Sequence, residues 1–337
     1  GVIQPATQLI NNLIYVGIAV LGGYRVATGA MSLGDVQAFI QYSRQFGMPL
    51  SQIAGLMNVI QSGVASAERL FEFLDAQEEE PDRADSVKIG RAKGAITFEN
   101  VHFRYVDDEP LIEDFNLTVE PGQTIAIVGP TGAGKTTLVN LIMRFYEIQS
   151  GRITLDGIDT RDVSRDELRR QFGMVLQETW LFTGTMRENI AFGSNNPKEE
   201  DVIAAAKAAN VDHLIRSLPK GYESLLTDES AGISAGERQL MTIARAFMAD
   251  PAILILDEAT SSVDTRTEVL VQSAMAKLRK GRTSFVIAHR LSTIRDADMI
   301  LVMNHGAIVE QGIHEELMAK RGFYYDLYAS QFAAALE

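Results

Sequence analysis

The run Gly129-Pro130-Thr131-Gly132-Ala133-Gly134-Lys135-Thr136, followed by Thr137, restricts what this chain can fold into more than any other segment. Three glycines let the backbone turn sharply and aim successive N–H groups into a concave nest at the start of a helix, a geometry that wraps an anion. In such a loop the lysine, Lys135, reaches the β- and γ-phosphates of a nucleotide, and the Thr136 hydroxyl binds Mg²⁺. The flanks agree. Residues 124–128 are a short apolar β-like run entering the loop, and Leu138, Leu141 and Ile142 recur at helical spacing leaving it.

The rest of the chain supplies the sheet that such a loop needs. Residues 96–105 alternate apolar and polar at period two, as a half-buried strand does. Residues 117–119, 153–155 (with the Asp156-Gly157 turn), 172–176, 253–256, 284–287 and 299–302 read as further strands, and 201–209 as a helix. Helices between fully apolar strands imply a mainly parallel sheet covered on both faces. Residues 78–94 are polar, charged and interrupted by Pro81, which reads as a linker. The chain therefore divides into 1–75, a linker over 76–95, and 96–337.

Charge separates the two ends. The first 67 residues carry only Arg25, Asp35 and Arg44. Residues 9–23 are almost continuously apolar, broken by Asn11 and Asn12. That run alone falls short of the ~20 residues that cross a bilayer, unless it extends to Val26 or begins upstream. No basic segment precedes it and no small-residue cleavage site follows, which speaks against a signal peptide. Residues 36–60 mix Phe39, Ile40, Ile53 and Leu56 with several glutamines and Arg44, and on hydropathy alone read as an amphipathic soluble helix. There are no cysteines, so neither a disulfide framework nor a thiolate metal site is available. The formal charge of −13 argues against a nucleic-acid partner, whose phosphates need a basic surface. The sequence opens without an initiator Met and reads as a fragment.

Two further segments carry chemistry. Residues 252–258 form an aliphatic strand that ends in Asp257 and Glu258. Such a strand sets carboxylates at the carboxyl edge of the sheet, where ligands of open α/β folds sit. Asp257 then holds the Mg²⁺ shell through water, and Glu258 orients or deprotonates the attacking water. Upstream, Ser234-Ala235-Gly236-Glu237 opens a helix with Leu240, Ile243, Ala244 and Phe247 on one face. Ser-x-x-Glu is a capping box, and a helix start with a small serine and a glycine is also an anion site.

In order and spacing, these features resemble the C-terminal half of an ABC exporter, and the resemblance covers essentially the whole chain. It implies an α/β P-loop NTPase of ABC type: a mainly parallel sheet core, an antiparallel β subdomain and a helical subdomain, preceded by all-α transmembrane helices. Tyr105 falls at the family's adenine-stacking aromatic, residues 129–136 are its Walker A loop, and Gln177 is the Q-loop glutamine that touches Mg²⁺. Residues 234–237 match the signature motif, Asp257 and Glu258 are Walker B, Ser262-Val263-Asp264 is the D-loop, and His289 is the switch histidine. Residues 9–26 become the end of the fifth membrane helix, 27–35 an outer loop, and 36–67 the sixth helix, its glutamines and Arg44 facing a translocation path. The implied protein is a multi-pass cell-membrane ATPase with a cytoplasmic nucleotide-binding domain, using ATP and Mg²⁺ to export a substrate. Its implied partners are the upstream membrane helices, membrane lipid and a second half-transporter. In the family each ATP lies between one Walker A loop and the signature of the opposing subunit. A soluble ABC-type ATPase of DNA repair or chromosome maintenance, or an importer's ATPase subunit, shares the motifs. The former carries coiled coils or zinc modules between Walker A and signature, and the latter normally lacks fused membrane helices.

The signature departs from the family's usual L-S-G-G-Q. Ala235 adds a methyl where backbone approaches phosphate, and Glu237 places a carboxylate near a triphosphate unless capping turns it away. Residues 227–230 also lack the usual Gly-Glu pair. An altered signature beside an intact Glu258 matches the pattern of one half of a heterodimeric exporter. This chain's Walker site is then the hydrolysing one, with a homodimer as the other arrangement.

Overall fold

The structure, a computed structural model, describes residues 3–76, 78–176, 179–194, 196–226, 233–257, 264–288 and 290–332. Its chain divides into two units, Gly1–Glu80 and Pro81–Glu337.

The first unit is a helical pair, α1 (Ile3–Ala27) and α2 (Leu33–Leu74). The connection is shorter than the loop expected over 27–35, because a capping box starts α2 early. Asp35 N–H donates to Ser32 Oγ at 3.2 Å, and the Asp35 carboxylate accepts from Ser32 N–H at 3.1 Å. The helices pack tightly at Gly22, where an added Cβ would lie 2.7 Å from Val36 Cγ1. Arg44, expected to face a translocation path, has its guanidinium 5.1 Å from the centre of the Tyr15 ring on α1. Among the described residues one helix, over Gln8–Ala27, is long and apolar enough to cross a membrane.

The second unit contains an antiparallel sheet of β1 (Ile96–Phe103), β2 (Ile112–Val119), β4 (Ser150–Leu155) and β5 (Ile158–Asp159), in the order β2-β1-β4-β5. A larger sheet runs β12-β11-β3-β10-β9-β6, built from β3 (Thr124–Val128), β6 (Phe172–Val175), β9 (Ile253–Asp257), β10 (Thr283–Ile287), β11 (Met299–Asn304) and β12 (Ala307–Gly312). All its pairings are parallel except β11 with β12. A two-stranded ribbon joins β7 (Gly184–Thr185) to β8 (Leu225–Leu226). The helices are α3 (Lys135–Ile142), α4 (Arg165–Arg169), α5 (Met186–Ala191), α6 (Glu199–Ala208), α7 (Asp212–Ser217) and α8 (Ala235–Ala249). They continue with α9 (Thr265–Arg279), α10 (Leu291–Arg295), α11 (His314–Lys320) and α12 (Phe323–Phe332).

Strand parity explains the unbroken apolar runs. Ile125, Ile127, Ile253, Ile255, Phe285, Ile287, Leu301 and Met303 face one core, which they share with α3 and the antiparallel sheet. The intervening Leu254, Leu256 and Val286 join Leu240, Ile243 and Ala244 of α8 and the helices around it. Ala126, Val128, Ile300 and Val302 meet the C-terminal helices. Each central strand is buried on both faces, so no polar alternation survives in it. The expected parallel core and antiparallel sheet are both present. Strand β2 begins well before 117, because Glu113, Asp114 and Asn116 break the apolar pattern where its pairing with β1 shifts register. The edge strand β12 alternates exposed and half-buried residues and was not legible as a strand.

Residues 81–95, polar enough to read as a linker, are packed into the second unit. Asp82 bonds Arg165, Val87 N–H donates to the Asp162 carbonyl at 2.7 Å, and Ala92 N–H donates to Gln171 Oε1 at 2.9 Å. The Asp156 carboxylate collects the N–H groups of Lys93, Gly94 and Ala95 at 2.6–3.0 Å.

Candidate nucleotide-binding site

The loop between β3 and α3 has the backbone its glycines require. Gly129, Gly132 and Gly134 have φ of 155°, 81° and 97°, and Gly134 is the N-cap of α3. Gly129 has no room for a side chain, since a Cβ there would lie 2.2 Å from the Met303 carbonyl oxygen at the end of β11. The turn after β11 braces the loop from the same side: Gly306 N–H donates to the Ala133 carbonyl at 2.9 Å. Gly306 is itself wedged, a Cβ there falling 1.4 Å from the Leu111 carbonyl oxygen. Met303 and Gly306 were not singled out from the sequence. Their only signal was a His305-Gly306 turn after an apolar strand, which does not say what the turn touches.

Lys135 lies across the loop, its Nζ donating to the carbonyls of Gly129 at 2.7 Å and Pro130 at 2.9 Å. Burial pushes its ammonium below the ordinary lysine value, and the Asp257 charge opposes that shift. The lysine of the loop and the aspartate ending β9 are therefore within electrostatic reach of each other. The register shows why. Ile287 of β10 pairs with Ile127 of β3 on one side and with Asp257 of β9 on the other, and Leu256 pairs with Val175 of β6. Strands β3, β10, β9 and β6 thus end together at one carboxyl edge. Gln177, Glu258 and His289, which follow β6, β9 and β10 in sequence, lie outside the described residues.

Tyr105 packs against the side of α3. Its hydroxyl is 3.3 Å from Thr137 Oγ1 and accepts from Asn140 Nδ2 at 3.3 Å, while nearly half of the residue stays exposed. Ser234 and Glu237 form the capping box read from sequence: Glu237 N–H donates to Ser234 Oγ at 3.3 Å, and Ser234 N–H donates to Glu237 Oε2 at 2.7 Å. Ala235 and Gly236 are the first residues of α8. Asp264 caps α9, its Oδ1 accepting from Arg266 N–H at 3.1 Å and Thr267 N–H at 3.0 Å. That places Tyr105, the Walker A loop and Asp257 around α3 and the sheet edge, with Ser234 and Asp264 at the starts of two other helices.

The described donors near the loop are the Thr136 hydroxyl and the Asp257 carboxylate. Among the described residues no cluster of three His, Cys, Asp or Glu side chains forms a protein-only metal cage. One carboxylate and one hydroxyl are hard oxygen donors, and that sparse set suits Mg²⁺, which keeps waters and takes substrate phosphates as its remaining ligands.

A glycine-rich anion nest opening a helix at the carboxyl edge of a parallel sheet, with an acidic strand end beside its lysine, defines a P-loop nucleotide-binding domain. Residues 112–261 match the family described as ABC transporter. The chain is 59% identical over 97% of its length to a fatty acid ABC transporter ATP-binding/permease protein of Mycobacterium bovis, covering 52% of that protein. It is 45% identical over 98% of its length to an ATP-dependent lipid A-core flippase of Syntrophus aciditrophicus, covering 55% of it. Among solved structures, a bacterial Atm1-family ABC exporter with ATP bound superposes with a TM-score of 0.71 at 36% identity, over 97% of this chain and 57% of that one. The chain carries an ABC transporter ATPase domain, preceded by N-terminal helices. It spans about half the length of the relatives it matches.

Proposed function

We propose that this chain is part of an ABC exporter that couples ATP binding and hydrolysis to movement of membrane helices. The observation that carries the reading is the strand register that brings the end of β3, which leads into the P-loop, and Asp257 of β9 to one sheet edge. Backbone N–H groups of residues 129–137 cradle the phosphates, and Lys135 gives up its two carbonyl partners to neutralise the β- and γ-oxygens. Thr136, Gln177 and Asp257 would hold Mg²⁺, which would neutralise charge on the phosphates. Glu258 receives the proton of the attacking water, His289 contacts the γ-phosphate, and Tyr105 stacks on adenine. Ser234 through Glu237 meet the ATP of an opposing half-transporter, and Asp264 links the two sites. The Ser234 oxygen accepts from its own helix, which leaves its hydroxyl proton free to donate to phosphate. Glu258→Gln in the full-length protein should cut turnover by about 10²–10⁴-fold while ATP still binds. Lys135→Ala should lose ATP binding itself. Turnover that persists in Glu258→Gln, or ATP affinity unchanged in Lys135→Ala, overturns these assignments.

The transported class we propose is a lipid amphiphile such as a fatty acid. Support comes from the 59% identity to a fatty acid transporter and the 45% identity to a lipid A-core flippase. Fatty acids should stimulate the ATPase of the reconstituted protein, and sugars should not. The altered signature favours a heterodimer in which this chain's Walker site hydrolyses. Glu237 is already engaged by Ser234 N–H, so its carboxylate is held over its own helix start. Cooperative turnover at both sites of a purified homodimer removes that pairing.

A further inference from the structure

A second aromatic ring stands beside Tyr105 at the outer end of the site, and none of the family motifs above includes it. Tyr146 follows the turn that closes α3, in which Arg144 takes a left-handed φ of 52° and Phe145 N–H returns to the Asn140 carbonyl at 2.9 Å. The Tyr105 and Tyr146 centroids are 4.9 Å apart with planes at 86°, and Tyr105 meets Phe103 at 4.8 Å and 87°. Phe103 and Tyr146 are 5.8 Å apart, so the three centroids close an acute triangle. Seen from Tyr105 the two neighbours lie less than a right angle apart, and nearly half of the residue stays exposed. Edge-to-face contacts of this kind fix a ring's plane, because the positive edge of one ring seeks the negative face of the other.

The backbone holds Tyr146 at this place. The Gln149 side chain accepts from Arg104 N–H and donates to the Arg104 carbonyl, each at 3.0 Å, and Gln149 N–H donates to the His102 carbonyl at 3.1 Å. The turn bearing Tyr146 is thereby clamped to the residue just before Tyr105. The Tyr105 hydroxyl is tethered to Thr137 and Asn140 of α3. We propose that Tyr146 is a positioning residue for base recognition: it holds the Tyr105 ring at a fixed angle to the P-loop helix, so that an open face awaits the purine of the nucleotide. This rests on the ATP reading above.

The test measures dissociation constants for ATP and for inorganic triphosphate on the full-length protein and on Tyr146→Ala, Tyr146→Phe, Tyr105→Ala and the double alanine variant. Tyr146→Ala should weaken ATP three- to tenfold and leave triphosphate within twofold, and Tyr146→Phe should match the parent. Tyr105→Ala should lose at least as much ATP affinity, and the double variant no more than Tyr105→Ala alone, because Tyr146 acts through Tyr105. Unchanged ATP affinity in Tyr146→Ala overturns the proposal. So does an equal loss of triphosphate, which marks damage to the loop, or an additive double variant, which marks direct contact with the base. Tyr105→Ala without effect on ATP removes base stacking and the proposal with it. Triphosphate binding that survives Lys135→Ala removes the phosphate assignment alone.

Discussion

Gly129 and Gly132 sit three residues apart in one loop, yet the structure separates what each contributes. Both have backbone angles that a side chain resists, at φ of 155° and 81°. Around Gly132 an added Cβ meets nothing within 4 Å, whereas at Gly129 it would lie 2.2 Å from the Met303 carbonyl oxygen, a backbone atom of a central strand. Gly132→Ala should therefore cost only the backbone penalty of about 1–2 kcal/mol. Gly129→Ala must also displace the loop from β11, adding at least about another 1 kcal/mol and spoiling the phosphate nest. Thermal unfolding and triphosphate binding, read side by side, check this. Equal destabilisation by the two substitutions would mean that Met303 does not brace the loop.

At the scale of elements, residues 81–95 are held by a network that composition hid. Asp82 Oδ1 accepts from Arg165 Nη1 at 2.9 Å and from Arg144 Nη1 at 3.4 Å. Glu147 Oε1 takes Arg144 Nε and Arg165 Nη2, both at 2.7 Å. The two arginine side chains are 9% and 8% exposed and Asp82 is 29% exposed. Removing Asp82 leaves both cations buried with fewer counter-charges, so Asp82→Ala should cost about 2–3 kcal/mol, below the 3–5 of a fully buried pair. Its neighbour Arg83 pairs with Asp162 in the open, at 63% and 42% exposure, and Arg83→Ala should change stability by less than about 1 kcal/mol. Urea titrations of both variants decide it, and equal effects would refute the network's weight. The contrast marks what could be read in advance. Local signals were legible: the P-loop glycines, the Ser234–Glu237 cap and the doubly buried strands each rest on residues close in sequence. The Asp82 cluster, the Met303 brace and the Tyr146 contact join distant segments, and Glu and Pro around residue 80 read as solvated chain because nothing local names the arginines waiting for it. Strand β12 escaped for a related reason, since an edge strand with one wet face carries no apolar run.

For the whole molecule, the two units place their apolar residues in opposite ways. Pro81–Glu337 gathers them into cores between and beside its sheets. In Gly1–Glu80 the large side chains of Leu13, Val20, Leu21, Phe39, Tyr42 and Phe46 are 59–78% exposed. Such a surface is stable only against lipid, detergent or further helices. Units that draw stability from different solvents need not melt together. Heating the full-length protein in detergent should therefore give separate transitions, and only that of the P-loop unit should follow nucleotide. At ATP concentrations about 100 times Kd the linkage contributes about 2.7 kcal/mol. For a unit of this size that raises its midpoint by about 5–10 °C. Chelating Mg²⁺ should shrink the shift, because Lys135 alone cannot offset the charge of a triphosphate, and Lys135→Ala should abolish it. If every transition moved with nucleotide by the same amount, the helices would be sharing the stability of the ATP site rather than merely adjoining it in the chain. In that case binding energy reaches the helices without hydrolysis, and Glu258→Gln should show the same common shift.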